Sequence, residues 1–383
     1  MLSAIIYRRR KAEREKLLVR FQNYIKESYR LKRRRRLRRR ALGSYEDCPF
    51  YRVLHSECLE SMITCTGFDY NGFYSLLRIF APVFYNYSPY SDDDGRLRHR
   101  RVGRQRKINA EVCLGLVLVW TRTQGSLYAL QPIFGLSYSC LTLWLRFGIR
   151  ILQNILRKHP LARVKPPSAE EVRKMQLAVA LRYPRLADVW GCCDGLNIRF
   201  ETSGSQQIQR IYYNGWLHGH YISNVLVFAF DGTIRICGLN APGSMHDSTV
   251  AEYSGVYDKL REVYRRTGGK VVVDSAFKLK NNPYIIRTAR RVHFDRESIL
   301  TAQEAVRLCQ SAEWGKRAFQ SSFPRLRDKI KFEDRGERLE NLRLFVYLYN
   351  FRTNVVGCNQ IRSTFTPWLE AEVDGDRSMF IVE

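Results

Sequence analysis

Apolar and polar residues alternate with a period of two in the middle of the chain, over residues 189–200, 221–230 and 233–239. Such alternation predicts β-strands, and Asp231-Gly232 predicts a hairpin turn between the second and the third. A helical pattern follows, and then a short apolar run predicts a fourth strand at residues 270–274. This order of elements predicts an α/β domain in which the first strand lies at the centre of the sheet.

The region before these strands has helical periodicity instead. Its last two predicted helices are joined by Gly135-Leu136-Ser137, and a short turn that contains glycine is typical of helix-turn-helix modules that bind DNA. Plain helical bundles use the same turn, so both interpretations stay open. We predict an all-helical region at residues 42–165, with a helix-turn-helix-like module at residues 108–158. Its predicted helices cover residues 108–120, 126–134 and 138–156.

Positive charge is concentrated at the amino end of the chain. Residues 1–40 contain 17 Lys or Arg and three Glu, which accounts for about half of the net charge of +27. We predict that residues 1–41 form a basic, disordered arm, because like charges repel one another, and that the arm binds DNA and directs the protein to the nucleus. The alternative is a solvated tail with neither role. The predicted DNA-binding residues, in the arm and in a second basic patch, are Arg33, Arg34, Arg35, Arg36, Arg38, Arg39, Arg40, Arg100, Arg101, Arg104, Arg106 and Lys107.

Other classes of protein are disfavoured by the sequence. No apolar run approaches the length of a membrane span, and the amino end has no signal-peptide core, so we expect a soluble intracellular protein with no membrane partner. The ten cysteines form no C-x-x-C pair, which disfavours a structural zinc site.

Three carboxylates stand out against their apolar surroundings. Asp194 lies inside the first predicted strand, where a charge is costly unless a cation or hydrogen bonds compensate it; the alternative is a turn with Gly195. Asp274 ends the fourth predicted strand. Glu313 follows Ala302, Val306 and Cys309 on one face of a helix that a capping box at residues 301–304 is expected to open, and the alternative is a surface pair with Arg317. Oxygen ligands of this kind suit one or two Mg²⁺ or Mn²⁺ ions.

Several motifs in residues of about 105–365 resemble the DDE nuclease of the PIF/Harbinger transposase superfamily and its domesticated nuclease relatives. The motifs are Cys193-Asp-Gly-Leu-Asn-Ile198, Tyr212-Tyr-Asn214, Pro242-Gly-Ser-Met-His-Asp-Ser248, Val273-Asp-Ser275, and Ala312-Glu-Trp-Gly315 with Phe323. One departure is Val273-Asp-Ser-Ala-Phe277, where the family usually reads Gly-Asp-Ser-Gly-Tyr.

The resemblance implies an RNase H-like DDE catalytic domain, which we place at residues 166–370, followed by a tail at residues 371–383. It implies a Mg²⁺-dependent DDE endonuclease or transposase that hydrolyses phosphodiester bonds and transfers strands, with Asp194, Asp274 and Glu313 as catalytic metal ligands. DNA as substrate and a separate Myb-like DNA-binding partner protein are implied as well. The sequence leaves open whether the chain forms a homo-oligomer.

Two questions remain open at this point. Asp247 is the second choice for the second aspartate; we favour Asp274, because a carboxylate at a helix start has a structural task in satisfying free backbone N–H groups. His246 is expected to contact a metal ligand or a phosphate. The alternative function is a domesticated, non-catalytic DNA-binding or adaptor protein that retains the transposase fold.

Overall fold

The computed structural model describes residues 2–34, 37, 41–44, 46–90, 97–99, 106–202, 204–277, 282–288, 295–330 and 334–370. Fourteen α-helices are described in these residues. In the first half of the chain they are α1 (Leu2–Arg34), α2 (Pro49–Leu54), α3 (Leu59–Thr66), α4 (Tyr70–Asn86), α5 (Ala110–Arg122), α6 (Leu130–Phe134), α7 (Tyr138–Leu156) and α8 (Ala169–Arg182). In the second half they are α9 (Gln206–Tyr212), α10 (Asp247–Tyr253), α11 (Val256–Thr267), α12 (Arg296–Ser322), α13 (Arg335–Val356) and α14 (Gln360–Glu370).

The strands form a small two-stranded sheet and a larger mixed sheet. The first consists of β1 (Tyr87–Ser88) and β2 (Arg98–His99); the second consists of β3 (Val189–Arg199), β4 (Tyr213–Asn214), β5 (Gly219–Ala229), β6 (Ile234–Pro242), β7 (Lys270–Val273) and β8 (Ile285–Arg287). β3 is central: it pairs antiparallel with β5 on one side and parallel with β7 on the other. β6 continues the antiparallel side and β8 the parallel side.

This topology confirms the predicted fold class. Three antiparallel strands, helices, and then a strand parallel to the first are the order expected of the RNase H-like domain, and an all-helical region precedes it. The predicted strands at residues 189–200, 221–230 and 270–274 agree with β3, β5 and β7 to within two residues at each end. The hairpin turn at Asp231-Gly232 is present, with Gly232 at φ +83° and the Asp231 side chain accepting from the Thr233 N–H.

The helix boundaries of the predicted helix-turn-helix-like module are close to those observed. Gly135 ends α6 in the left-handed conformation, at φ +61°, which is why a glycine is needed in this turn. α7 buries one face in the core, through side chains such as Leu141 and Trp144. A recognition helix must offer a face to DNA. About half of α7 is buried and half is not, so the packing leaves both the helix-turn-helix and the helical-bundle interpretations open.

The amino-terminal arm differs from the prediction of disorder, because residues 2–34 form the single helix α1. Its Leu, Arg, Lys, Ala and Glu residues are good helix formers, and this preference outweighs the repulsion between like charges. Among its described side chains, Phe21 is 63% exposed and Tyr24 is 73% exposed. The helix therefore gains little from packing and is held by its own backbone hydrogen bonds.

The helical region and the sheet share one continuous core. Polar contacts also join them: Arg122 on α5 donates to the carbonyl oxygen of Ser322 on α12 at 2.9 Å, and Arg352 on α13 donates to that of Gly67 at 2.7 Å. The helical region is thus packed directly against the helices that carry the candidate site. None of the described helices combines the length and apolar character needed to cross a lipid bilayer.

The start of α12 was predicted wrongly. The helix begins at Arg296, where the Asp295 side chain accepts a hydrogen bond from the Ser298 N–H, and not at the capping box of residues 301–304. Glu304 of that box instead receives hydrogen bonds from Arg185. A capping box requires the glutamate side chain to accept a hydrogen bond from the backbone at the helix start. Here the Glu304 carboxylate accepts hydrogen bonds from Arg185, which is distant in sequence.

Candidate active site

The register between β3 and β7 places two aspartates side by side. Cys193 on β3 pairs with Val273, the last residue of β7, so Asp194 and Asp274 are the next residues on two neighbouring parallel strands. Adjacent strands lie about 4.8 Å apart, so these two residues are close neighbours where β7 ends beside β3. The Asp194 Oδ1 accepts from the Gly195 N–H at 2.6 Å. The Asp274 Oδ1 accepts from the Ala276 N–H at 2.9 Å, so Asp274 has a local partner in the turn after β7 that the sequence did not reveal.

A third aspartate, Asp247, is brought to the same place from α10. The loop before α10 is fixed where the Asn214 side chain donates to the Gly243 carbonyl oxygen at 2.9 Å and the Ser244 N–H donates to the Ile211 carbonyl oxygen at 3.3 Å. A Cβ atom on Gly195 would lie 2.2 Å from the Asp247 carboxyl group. Glycine at position 195 therefore makes room for this carboxylate directly beside Asp194.

The Asp247 carboxylate lies in a negative field. Burial, together with Asp194 and Asp274, raises its pKa to about 6. Asp247 is the first residue of α10 and His246 is its N-cap, without a side-chain capping bond. Among the described residues, none donates a hydrogen bond to the Asp247 side chain, so the capping role weighed for it from the sequence has no support. His246 itself is exposed at the start of α10.

Glu313 reaches this group through a lysine. The Lys316 ammonium on α12 contacts Asp194 Oδ2 at 2.6 Å and Glu313 Oε2 at 2.9 Å. Glu313 also pairs with Arg317 at 3.4 Å, which is the surface pair that was the alternative for this residue. The buried face of α12 carries Ala312 and Gly315, and Glu313 lies at its border rather than on the face itself.

These contacts divide the charges unevenly. Hydrogen bonding to Lys316 lowers the pKa of the Glu313 carboxyl group. Burial raises the pKa of the Asp194 carboxyl group, although Lys316 and the Gly195 N–H act in the opposite direction. For the Lys316 ammonium, burial acts to lower the pKa, but Asp194 and Glu313 outweigh it and the pKa is raised. Asp194, Asp247, Asp274 and Glu313 are called the acidic cluster below; Lys316 is a partly buried cation in contact with two of them.

The donor chemistry of the acidic cluster fits a divalent cation. Its ligands are hard carboxylate oxygens, and the Lys316 ammonium marks a place where a cation is held between Asp194 and Glu313. In the described part of the chain, no three or more His, Cys, Asp or Glu side chains come together as a group that could hold a metal ion. The side chains therefore fit a metal by type and charge, while two of them, Asp194 and Glu313, contact the ammonium.

Most of the predicted DNA-binding residues lie outside the described residues: Arg35, Arg36, Arg38, Arg39, Arg40, Arg100, Arg101 and Arg104. Arg33 and Arg34 belong to α1, without described side chains. Lys107 is exposed. The Arg106 guanidinium lies 4.5 Å from the centre of the Phe84 ring and donates to the Tyr87 carbonyl oxygen at 2.6 Å, so it holds β1 against the helical region.

Two parts of this site were not found from the sequence. One is Lys316. The signal in the sequence was a lysine three residues after Glu313, but the predicted buried face of this helix was wrong by one residue. The other is the closeness of Asp247 to Gly195, for which the sequence carries no local signal.

Comparison with known proteins gives an independent indication of the family. Residues 193–349 match the family model of the DDE superfamily endonucleases, and this segment contains the whole acidic cluster together with Lys316. No curated protein and no solved structure matches the chain. The protein thus contains, in residues 193–349, a DDE superfamily endonuclease domain.

Proposed function

We propose that this protein is a metal-dependent DNA endonuclease of the DDE type, similar to the PIF/Harbinger transposases, which cleaves phosphodiester bonds and transfers strands. The observation that carries the proposal is the placing of Asp194 and Asp274 at adjacent positions of β3 and the end of β7, with Asp247 against Gly195, inside the segment that matches DDE endonucleases. Like charges placed together in a partly buried site are costly to the fold, and such an arrangement is typical of sites that bind a cation.

The proposed roles follow from the positions of the side chains. Asp194 and Asp274 are held by the rigid β3–β7 ladder, so they would provide the fixed ligands. Glu313, on a helix border, and Asp247, with its raised pKa, would complete the site. When bound, a divalent cation activates a water molecule or a 3′-hydroxyl and stabilises the leaving oxygen at phosphorus. Mg²⁺ and Mn²⁺ are the ions that this donor set suits.

Nicking of supercoiled plasmid DNA tests the proposal. The full chain should convert plasmid to the nicked or linear form with Mg²⁺ or Mn²⁺, and not with EDTA. Asp194→Asn should remove this activity. The matched control is Asp188→Asn. Asp188 lies six residues before Asp194, directly before β3, and forms an ion pair with Lys270. Activity that persists in Asp194→Asn, or that is lost equally in Asp188→Asn, would contradict the proposal.

We further propose that the basic helix α1 and the residues that follow it provide non-specific DNA affinity and nuclear import. Each neutralised phosphate steepens the dependence of binding on salt. Deleting residues 1–41 should therefore flatten the plot of log affinity against log salt concentration, and should abolish accumulation of a fluorescent fusion in the nucleus. An unchanged slope with intact import would leave α1 without this role. A Myb-like partner protein is a proposal from the family resemblance, and a homo-oligomer is a separate proposal.

A second candidate function is a non-catalytic DNA-binding or adaptor protein that retains the fold. The observation that favours it is Lys316, whose ammonium neutralises Asp194 and Glu313 without a metal ion. In this case the full chain would bind DNA in gel-shift experiments but would nick plasmid no faster than Asp194→Asn. The plasmid experiment therefore separates the two functions directly.

A further inference from the structure

Lys316 is a partly buried cation that contacts the acidic cluster. Its ammonium contacts Asp194 at 2.6 Å and Glu313 at 2.9 Å. The Lys316 side chain is 19% exposed and that of Asp194 is 15% exposed. Screening by solvent is weak at such positions, so the charge of this lysine acts strongly on the carboxylates around it.

Arg317 offers a comparison on the same helix. It also pairs with Glu313, at 3.4 Å, but its side chain is 78% exposed and it contacts the other oxygen of that carboxylate, Oε1. Exposed pairs of this kind contribute little, because water and salt screen them. Two neighbouring cations therefore touch one carboxylate, and only Lys316 also reaches Asp194.

We propose that Lys316 is an internal counterion that competes with the divalent cation for the acidic cluster. This inference rests on the proposed metal-dependent function. An ammonium held between Asp194 and Glu313 occupies two of the carboxylates that a metal ion would use, and its positive charge repels an arriving cation. Metal entry therefore requires the Lys316 side chain to leave this position. The chain is expected to bind metal weakly in the absence of DNA.

The test measures metal affinity and needs no nuclease activity. Mn²⁺ is titrated into the full chain, and the free ion is followed by its electron paramagnetic resonance signal. Lys316→Met removes the charge and keeps most of the apolar stem. It should bind Mn²⁺ about tenfold more tightly than the wild type, which corresponds to 1.4 kcal/mol. Arg317→Met is the matched control and should change the affinity by less than about twofold.

The outcomes separate this inference from the proposed function. If the wild type binds Mn²⁺ and Lys316→Met binds it equally or more weakly, the inference is wrong while the metal-dependent function stands. If neither protein binds Mn²⁺, both are wrong. A lysine that merely stabilised the fold would not tighten metal binding when removed.

Thermal unfolding provides a second readout. Without metal, Lys316→Met should unfold at a lower temperature than the wild type, because Asp194 and Glu313 lose their counterion. Saturating Mn²⁺ should raise its midpoint more than that of the wild type, since stabilisation by a ligand grows as its dissociation constant falls. If Lys316→Met does not fold, Lys316→Gln is used in the same two measurements. An equal or smaller rise in midpoint would contradict competition.

Discussion

The two ends of the β3–β7 strand pair carry aspartates in opposite electrostatic surroundings. At the end where both strands begin, the Asp188 carboxylate meets the Lys270 ammonium at 2.7 Å, and the Lys270 N–H donates to the Asp188 carbonyl oxygen. Where β7 ends, Asp194 and Asp274 lie next to each other, with Asp247 against Gly195. The first end has an opposite charge from the neighbouring strand. The second end has like charges, and the cation that contacts it, Lys316, comes from helix α12.

This difference separates charges that stabilise the sheet from charges that the sheet positions for function. The same two strands pair at both ends, with one irregularity of register between Val189 and Gly191, so the backbone fixes the positions of charged side chains whatever their signs. At the Asp188 end the charges add a little stability. At the Asp194 end the ladder resists the repulsion between carboxylates, and this cost to the fold is the reason to assign that end to function.

The largest effect is expected when the like-charged end loses a ligand. Asp274→Asn should reduce metal-dependent plasmid nicking by on the order of a thousandfold, since a bound metal contributes several kcal/mol to the transition state. Asp247→Asn should keep detectable activity, because Asp247 comes from the start of α10 and not from the β3–β7 strand pair that positions Asp194 and Asp274. Far-ultraviolet circular dichroism should be unchanged in both. An inactive Asp247→Asn with an active Asp274→Asn would require the two roles to be exchanged.

Alanine substitutions at two glycines of β3 should affect stability and nicking activity differently. A Cβ on Gly191 would lie 2.6 Å from the backbone carbonyl oxygen of Phe228 on β5, whereas one on Gly195 would meet the end of the Asp247 side chain. Backbone moves less easily than a side chain. Gly191→Ala should therefore cost about 3 kcal/mol in urea unfolding and Gly195→Ala about 1 kcal/mol. Nicking by Gly195→Ala should nevertheless fall, because its methyl group displaces a carboxylate of the site. The reverse order of stabilities would contradict this interpretation.

The pH dependence of stability should reveal the repulsion at the like-charged end. The pKa of Asp247 is about 6 in the folded chain and about 4 in the unfolded chain, so the contribution of its protonated form to stability is complete below pH 4 and is lost as pH rises through 6. Asp247→Asn does not undergo this loss. In EDTA it should be more stable than the wild type at pH 8 by about 3 kcal/mol, and equal to it at pH 4. Urea unfolding across this range measures the difference, and a constant difference would contradict the assignment.

The smallest effect is expected at the Asp188 end. Asp188→Asn removes a partly exposed ion pair with Lys270, so it should lower the free energy of unfolding by less than about 1 kcal/mol. High salt should reduce this difference further, because it screens exposed charges. A loss of several kcal/mol would show that both ends of the strand pair depend on charge for stability.

Much of the sheet could be predicted from the sequence, because strand formation leaves a local period-two pattern. The positions of Asp194 inside β3 and of Asp274 after β7 followed from this pattern, and so did the central place of β3. The arm and the start of α12 were predicted less well. In the arm, helix propensity exceeded charge repulsion over Leu2–Arg34. At α12, Arg185 bound the glutamate that the capping pattern assigned to the helix start.

The sequence by itself determined which residues are acidic, which segments become strands, and that the chain has the order of an RNase H-like domain. Only the tertiary structure decided that Asp247 lies against Gly195 and that Lys316 stands between Asp194 and Glu313. The physical reason is the range of the interactions. Periodicity is set by neighbours along the chain, whereas the meeting of β3, α10 and α12 depends on strand register and on how each helix is rotated about its axis. A rotation by one residue changes which side chain reaches the site, and it leaves the hydrophobic pattern almost unchanged.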